Sequence, residues 1–197
     1  MFFINPQYVF AQLKWEQGLL EKANTTKEVS YLTEEEKAVV FYCNLVRANP
    51  LLFKNTFIKH YIDSTGISGR YVKSLLKTLE NLPQMPVLSP SASLYSIAKT
   101  HATNYGKQGK TGHGDFNKRF EKYITNCKCE VAENCYYGDT KALNMVIELL
   151  IDEGVSSLSH RKNMLAPDYR TIGVSTSPHK LYEKSCIMDF SSSASVD

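Results

Sequence analysis

The chain has 197 residues, 43% hydrophobic and 22% charged, with a formal net charge of +3. This is the balance of a water-soluble globular domain long enough to bury a core. The charge is too small and the Lys and Arg residues too scattered for a nucleic-acid footprint, and no apolar run approaches the roughly 18 residues of a membrane-spanning helix.

In chain order, residues 1–32 mix apolar and polar side chains without a clear cap, and read as a helical extension outside the main domain. The opening stretch lacks a basic segment and is broken at Asn5-Pro6-Gln7, so it does not read as a signal peptide. The domain itself is expected over 33–192, with 193–197 as a tail. Thr33-x-x-Glu36 is a capping box ahead of an amphipathic helix carrying Val39, Val40, Cys43, Leu45 and Val46, which Asn49-Pro50 stops. Residues 51–62 and 71–82 predict two further helices around a Gly/Ser stretch. The next helix is expected to start with Ser89 as its cap and Pro90 in its first turn. It places Leu94, Ile97, Ala98, His101, Ala102 and Tyr105 on one stripe, which puts His101 in the core. The segment 138–154 (GDTKALNMVIELLIDEG) is expected to be another helix, ended by Gly154.

Beyond that the period changes to two. Residues 170–177 and 185–192 predict a β-hairpin, and 130–138 a further short strand. Helices followed by a small antiparallel sheet indicate an α+β domain.

Five cysteines leave at least one without a partner in the chain. Cys127, Cys129 and Cys135 cluster within nine residues, but their spacing matches no zinc pattern. The polar residues that stand out are His113, Glu133, the adjacent Asp152 and Glu153, and His160, all at element boundaries where a side chain can face a cleft. Ser157 or Ser159 would cap a short helix at His160. Converging imidazoles and carboxylates could bind a divalent metal or run acid–base chemistry, and each also has a plain structural alternative as a turn or surface residue. G-x-S-x-G, P-loop, H-E-x-x-H and G-x-G-x-x-G patterns are all missing. Cys135 would need a lowered pKa and a nearby base to act as a nucleophile.

The segments 111–119 (TGHGDFNKR), 132–138 (AENCYYG), 149–175 (LLIDEGVSSLSHRKNMLAPDYRTIGVS) and 186–192 (CIMDFSS), in that order and spacing, resemble the CAP superfamily (cysteine-rich secretory proteins, antigen 5, pathogenesis-related 1; the SCP domain) in its bacterial form. The resemblance implies a three-layer α–β–α sandwich with a central antiparallel sheet and a cleft tetrad falling on His113, Glu133, Glu153 and His160. His113 and His160 would be the ligands for Zn2+ or another divalent cation. It further implies a monomeric extracellular, periplasmic or cell-envelope protein that binds a small molecule, lipid or protein in a non-catalytic cleft. The same tetrad in a metal-dependent hydrolase, or a purely structural interaction domain, are the alternatives. Two positions depart from the family pattern: Ala132 stands for the glycine before Glu-Asn, and Leu149-Leu150 replace an aromatic.

Overall fold

The structure, a computed structural model, describes residues 15–194. The expectation for residues 1–14 lies outside these. From Trp15 onward the supposed extension is part of the domain: Trp15, Ala23 and Leu32 are buried, and α1 (Gln17–Ala23) lies on the next helix. The reason is polar as well as apolar. The amide of buried Asn44 donates to the Ala23 carbonyl (3.0 Å) and to Leu88 O (3.0 Å), and its oxygen accepts from the Leu88 N–H (2.7 Å).

Helix α2 (Glu34–Ala48) opens with the Thr33/Glu36 capping box. Glu36 is buried, and its other oxygen accepts from Thr176 N (2.8 Å), tying the helix start to the sheet. Helix α3 (Pro50–Phe53), started by Asn49 and Pro50, runs through a π-helical turn (Lys54–Ile58) into α4 (Lys59–Thr65), and α5 (Arg70–Asn81) follows Gly69. Ser89–Pro90 is not the beginning of a helix but a two-residue strand, β1. The cap of α6 (Ala92–Gln108) is Ser91, whose hydroxyl accepts from Leu94 N. Next come α7 (Phe116–Cys127), β2 (Val131–Gly138), α8 (Ala142–Ile151), α9 (Ser159–Met164), β3 (Thr171–His179) and β4 (Glu183–Ser191).

The sheet order is β1-β3-β4-β2. The β3–β4 hairpin pairs from Thr171↔Ser191 to His179↔Glu183, β2 is antiparallel to β4, and β1 adds a parallel pairing at the other edge. Alternation sorts the two faces. Ile172, Val174, Cys186, Met188 and Phe190 join the main core with α2 and α8, while Cys135 and Ile187 meet Ala98 and Ala102 of α6 on the opposite face. The result is the expected α–β–α layering, with β2 as the edge strand that carries the site.

Candidate functional site

Three elements meet at Glu133 on β2. The loop after α6 is pinned at Gly112: its carbonyl accepts from His101 Nε2 (2.9 Å), and its N–H donates to Tyr137 Oη (2.9 Å). Gly114 adopts a positive φ of +52°, where a Cβ would collide with the Tyr105 hydroxyl, so glycine is required there. The turn delivers His113 to the strand, with Nδ1 2.9 Å from Glu133 Oε1 and the side chain 51% exposed. Arg119 of α7 closes the other side, its Nη2 donating to Glu133 Oε1 (2.9 Å) and to His113 O (2.6 Å), and its Nη1 lying 2.8 Å from Oε2.

The second histidine sits where α8 ends. The helix stops at Ile151, not Gly154, because Asp152 takes the left-handed conformation (φ 59°). That turn directs a buried carboxylate beneath α9: Oδ1 lies 2.7 Å from His160 Nδ1, and Oδ2 accepts from Arg161 N (3.2 Å). Glu153, the acid expected in the tetrad, is exposed, and its neighbour Asp152 holds His160 instead. Neither Ser157 nor Ser159 caps α9 through its side chain; Leu158, in the left-handed region, precedes it. The Arg161 guanidinium, donating to Leu150 O, Ile151 O, Tyr71 O and Ser74 Oγ, clamps α9 onto α8 and α5. Asn134 then joins the two halves. Its amide donates to His160 O (3.0 Å), and Asn163 donates to Asn134 Oδ1 (2.9 Å) and Glu133 O (3.4 Å). Two histidine–carboxylate pairs, His113–Glu133 and His160–Asp152, therefore flank residues 133–134 of the edge strand.

Electrostatics divides the acids. Burial pushes the Glu133 pKa up, but the hydrogen bonds from His113 and Arg119 and the Arg119 charge outweigh it and hold the group below the ordinary glutamate value, hence ionised. Asp189, cross-strand from Glu133 on β4, is fully buried, and neither carboxylate oxygen has a hydrogen-bond partner among the described residues. Its pKa is raised well above the aspartate value, first by burial and then by the Glu133 charge. His101 is the buried stripe residue its spacing predicts, yet it lies 4.0 Å from Glu133. Burial outweighs that attraction and lowers its pKa, so it stays neutral. Cys135 is no activated thiol: burial and then the Glu133 charge push its pKa far up. Among the described residues, His101, Glu133 and Cys135 present donor atoms within 4.8 Å of one another, a spacing compatible with a metal ion, although Arg119 already occupies Glu133. Arg119, Asp189 and the site position of His101 were not anticipated from the sequence. The only signal for them is their place across a strand or helix from Glu133.

A search of curated proteins by sequence finds no match. Among solved structures the chain is similar to an extracellular protein containing an SCP domain from Bacillus anthracis (19% identity, TM-score 0.43, covering 61% of this chain and 38% of that one). It is also similar to an outer surface protein from Borrelia burgdorferi (18% identity, TM-score 0.44, 70% and 93% covered). The chain thus spans well under half the length of the Bacillus protein. A profile described as "CAP: Cysteine-rich secretory protein family" matches residues 82–190, over half of the sequence and inclusive of His113, Glu133, Asp152 and His160, and the chain belongs to that family.

Proposed function

We propose that this is an extracellular or cell-envelope CAP-domain binding module in which His113 and His160 together receive a divalent cation, Zn2+ in the simplest case, or the polar group of a small ligand. The observation that carries the reading is that each imidazole commits Nδ1 to a carboxylate, Glu133 or Asp152, which fixes the ring and leaves Nε2 as the nitrogen that can bind. Metal-bound histidines are commonly oriented by such carboxylates. Two nitrogen ligands leave positions for water or a ligand oxygen, so affinity should be weak. Binding is favoured over hydrolysis because Arg119 lowers the Glu133 pKa and occupies its oxygens, which makes the carboxylate a weak base for activating water. The Cys127–Cys129 disulfide supports a location outside the reducing cytoplasm.

Calorimetric titration with zinc at pH 7.5 is expected to give one site. His113→Ala and His160→Ala should each abolish it without unfolding the chain, and Cys135→Ser should leave it intact. Zinc binding unchanged in His160→Ala refutes the shared site. Loss in Cys135→Ser assigns the ion to the His101–Glu133–Cys135 cluster instead.

A further inference from the structure

The sulfurs of Cys127 and Cys129 are bonded across a single residue, Lys128, with Cα atoms 5.1 Å apart, in the turn between α7 and β2. A disulfide of this span contributes little as a staple, since the unfolded-chain entropy it removes grows with loop length and this loop is about as short as one can be. Its surroundings suit chemistry better. Both cysteines are partly exposed, and Lys128 between them is exposed in the left-handed conformation (φ 51°), placing a cationic side chain on the same turn. The three free cysteines contrast with them: Cys43, Cys135 and Cys186 are buried, and burial pushes the Cys43 thiol up to about 12 and raises the other two as well.

We propose that Cys127–Cys129 is a thiol–disulfide exchange site that takes soluble low-molecular-weight thiols. The polarity of the exchange comes from Ser191, the last residue of β4. Its buried hydroxyl oxygen lies 3.1 Å from Cys129 Sγ and accepts from the Ser193 N–H (3.0 Å). A disulfide sulfur carries no hydrogen, so the Ser191 O–H is the donor, aimed at Cys129. When the bond opens, that hydroxyl stabilises a thiolate on Cys129, with Lys128 adding positive charge nearby, which makes Cys129 the leaving group and Cys127 the sulfur attacked. An incoming thiolate bonds to Cys127 Sγ, and the electron pair of the broken S–S bond goes to Cys129 Sγ. A second thiolate then attacks the small-molecule sulfur of the mixed disulfide and expels the Cys127 thiolate. Two thiols become one small disulfide, the protein gains two electrons, and the two protons released by the thiols end on Cys127 and Cys129. The reverse sequence reoxidises the pair.

The test uses the folded full chain in glutathione buffers at pH 7.5, quenched with iodoacetamide and mapped by peptide mass spectrometry. Before reductant, alkylation in urea should label Cys43, Cys135 and Cys186 only. Reduced glutathione without urea should then open Cys127–Cys129 completely while the buried three stay unlabelled and the circular dichroism is unchanged. Ser191→Ala, checked for an intact fold, should slow opening about five- to tenfold, the size of one lost hydrogen bond. A bond that stays closed until urea unfolds the chain, alkylation of Cys127 and Cys129 before any reductant, or a Ser191→Ala rate equal to the parent's overturns the proposal.

Discussion

Asp189→Asn should stabilise the protein at neutral pH, although it removes an acidic residue from the centre of the sheet. In the folded chain the Asp189 carboxyl is sealed from water, lacks a hydrogen-bond donor among the described residues, and faces the ionised Glu133 across the β2–β4 pair. Its raised pKa means that the folded state holds a proton that the unfolded state releases near the ordinary aspartate value of 3.8. The sign follows from linkage: the contribution of Asp189 is fully present below pH 3.8 and declines as pH rises toward the folded pKa, by about 1.4 kcal/mol per pH unit. An asparagine of the same shape has no proton to lose, and its amide can donate to Glu133 at every pH, as the Asp189 carboxyl can only while it is protonated. Urea unfolding of both proteins at pH 5, 6, 7 and 8 measures the effect. The variant's advantage should widen as pH rises toward the folded Asp189 pKa, at equal m-values. Parallel stability curves would refute the assignment of a neutral Asp189, and an asparagine variant less stable at every pH would show that the carboxylate is held by a partner.

Arg47→Met should destabilise the chain by about 3–5 kcal/mol, read as a fall in the urea midpoint, because the fully buried guanidinium donates to Pro86 O, Met164 O, Ala166 O and Tyr169 O, and methionine fills the volume while stranding all four carbonyls. Burial lowers the Arg47 pKa only to about 10, so the group remains cationic and the loss should be the same at pH 6 and pH 8. Gly173→Ala should cost about 3 kcal/mol in a thermal melt, since the new Cβ would lie 2.2 Å from Tyr95 N and 2.3 Å from Leu94 C, backbone atoms that move only if α6 lifts off β3.

Local signals in the sequence carried the hairpin, the capping box and strand β2, because period-two alternation and a hydroxyl three residues before a glutamate act over a few residues. What was hidden depends on partners far along the chain. Ser89 looks like a helix cap, but Ser89 N–H donates to Arg170 O and Ser91 N–H to Ile172 O, so the strand pairing takes the dipeptide and passes the cap to Ser91. Asp152 and Glu153 are equivalent by spacing; the left-handed turn at Asp152 decides which of them reaches His160. The burial of His101 was legible from its stripe, whereas its proximity to Glu133 was not, since that requires α6 to cross the sheet opposite β2.

The stretch that matches the family begins at residue 82, yet Val39, Val40, Leu45, Phe53, Phe57 and Leu75 ahead of it supply much of the layer that covers Ile172, Val174, Met188 and Phe190. Family membership and the unit of cooperative folding therefore have different borders in this protein. A fragment trimmed to the matched residues would carry all four members of the two histidine–carboxylate pairs but keep only α8 of the layer on one side of its sheet, leaving that core partly exposed and the Arg47 carbonyl partners orphaned. Such a surface drives self-association, so the half that carries the two histidine–carboxylate pairs should aggregate when separated from the helices that precede it.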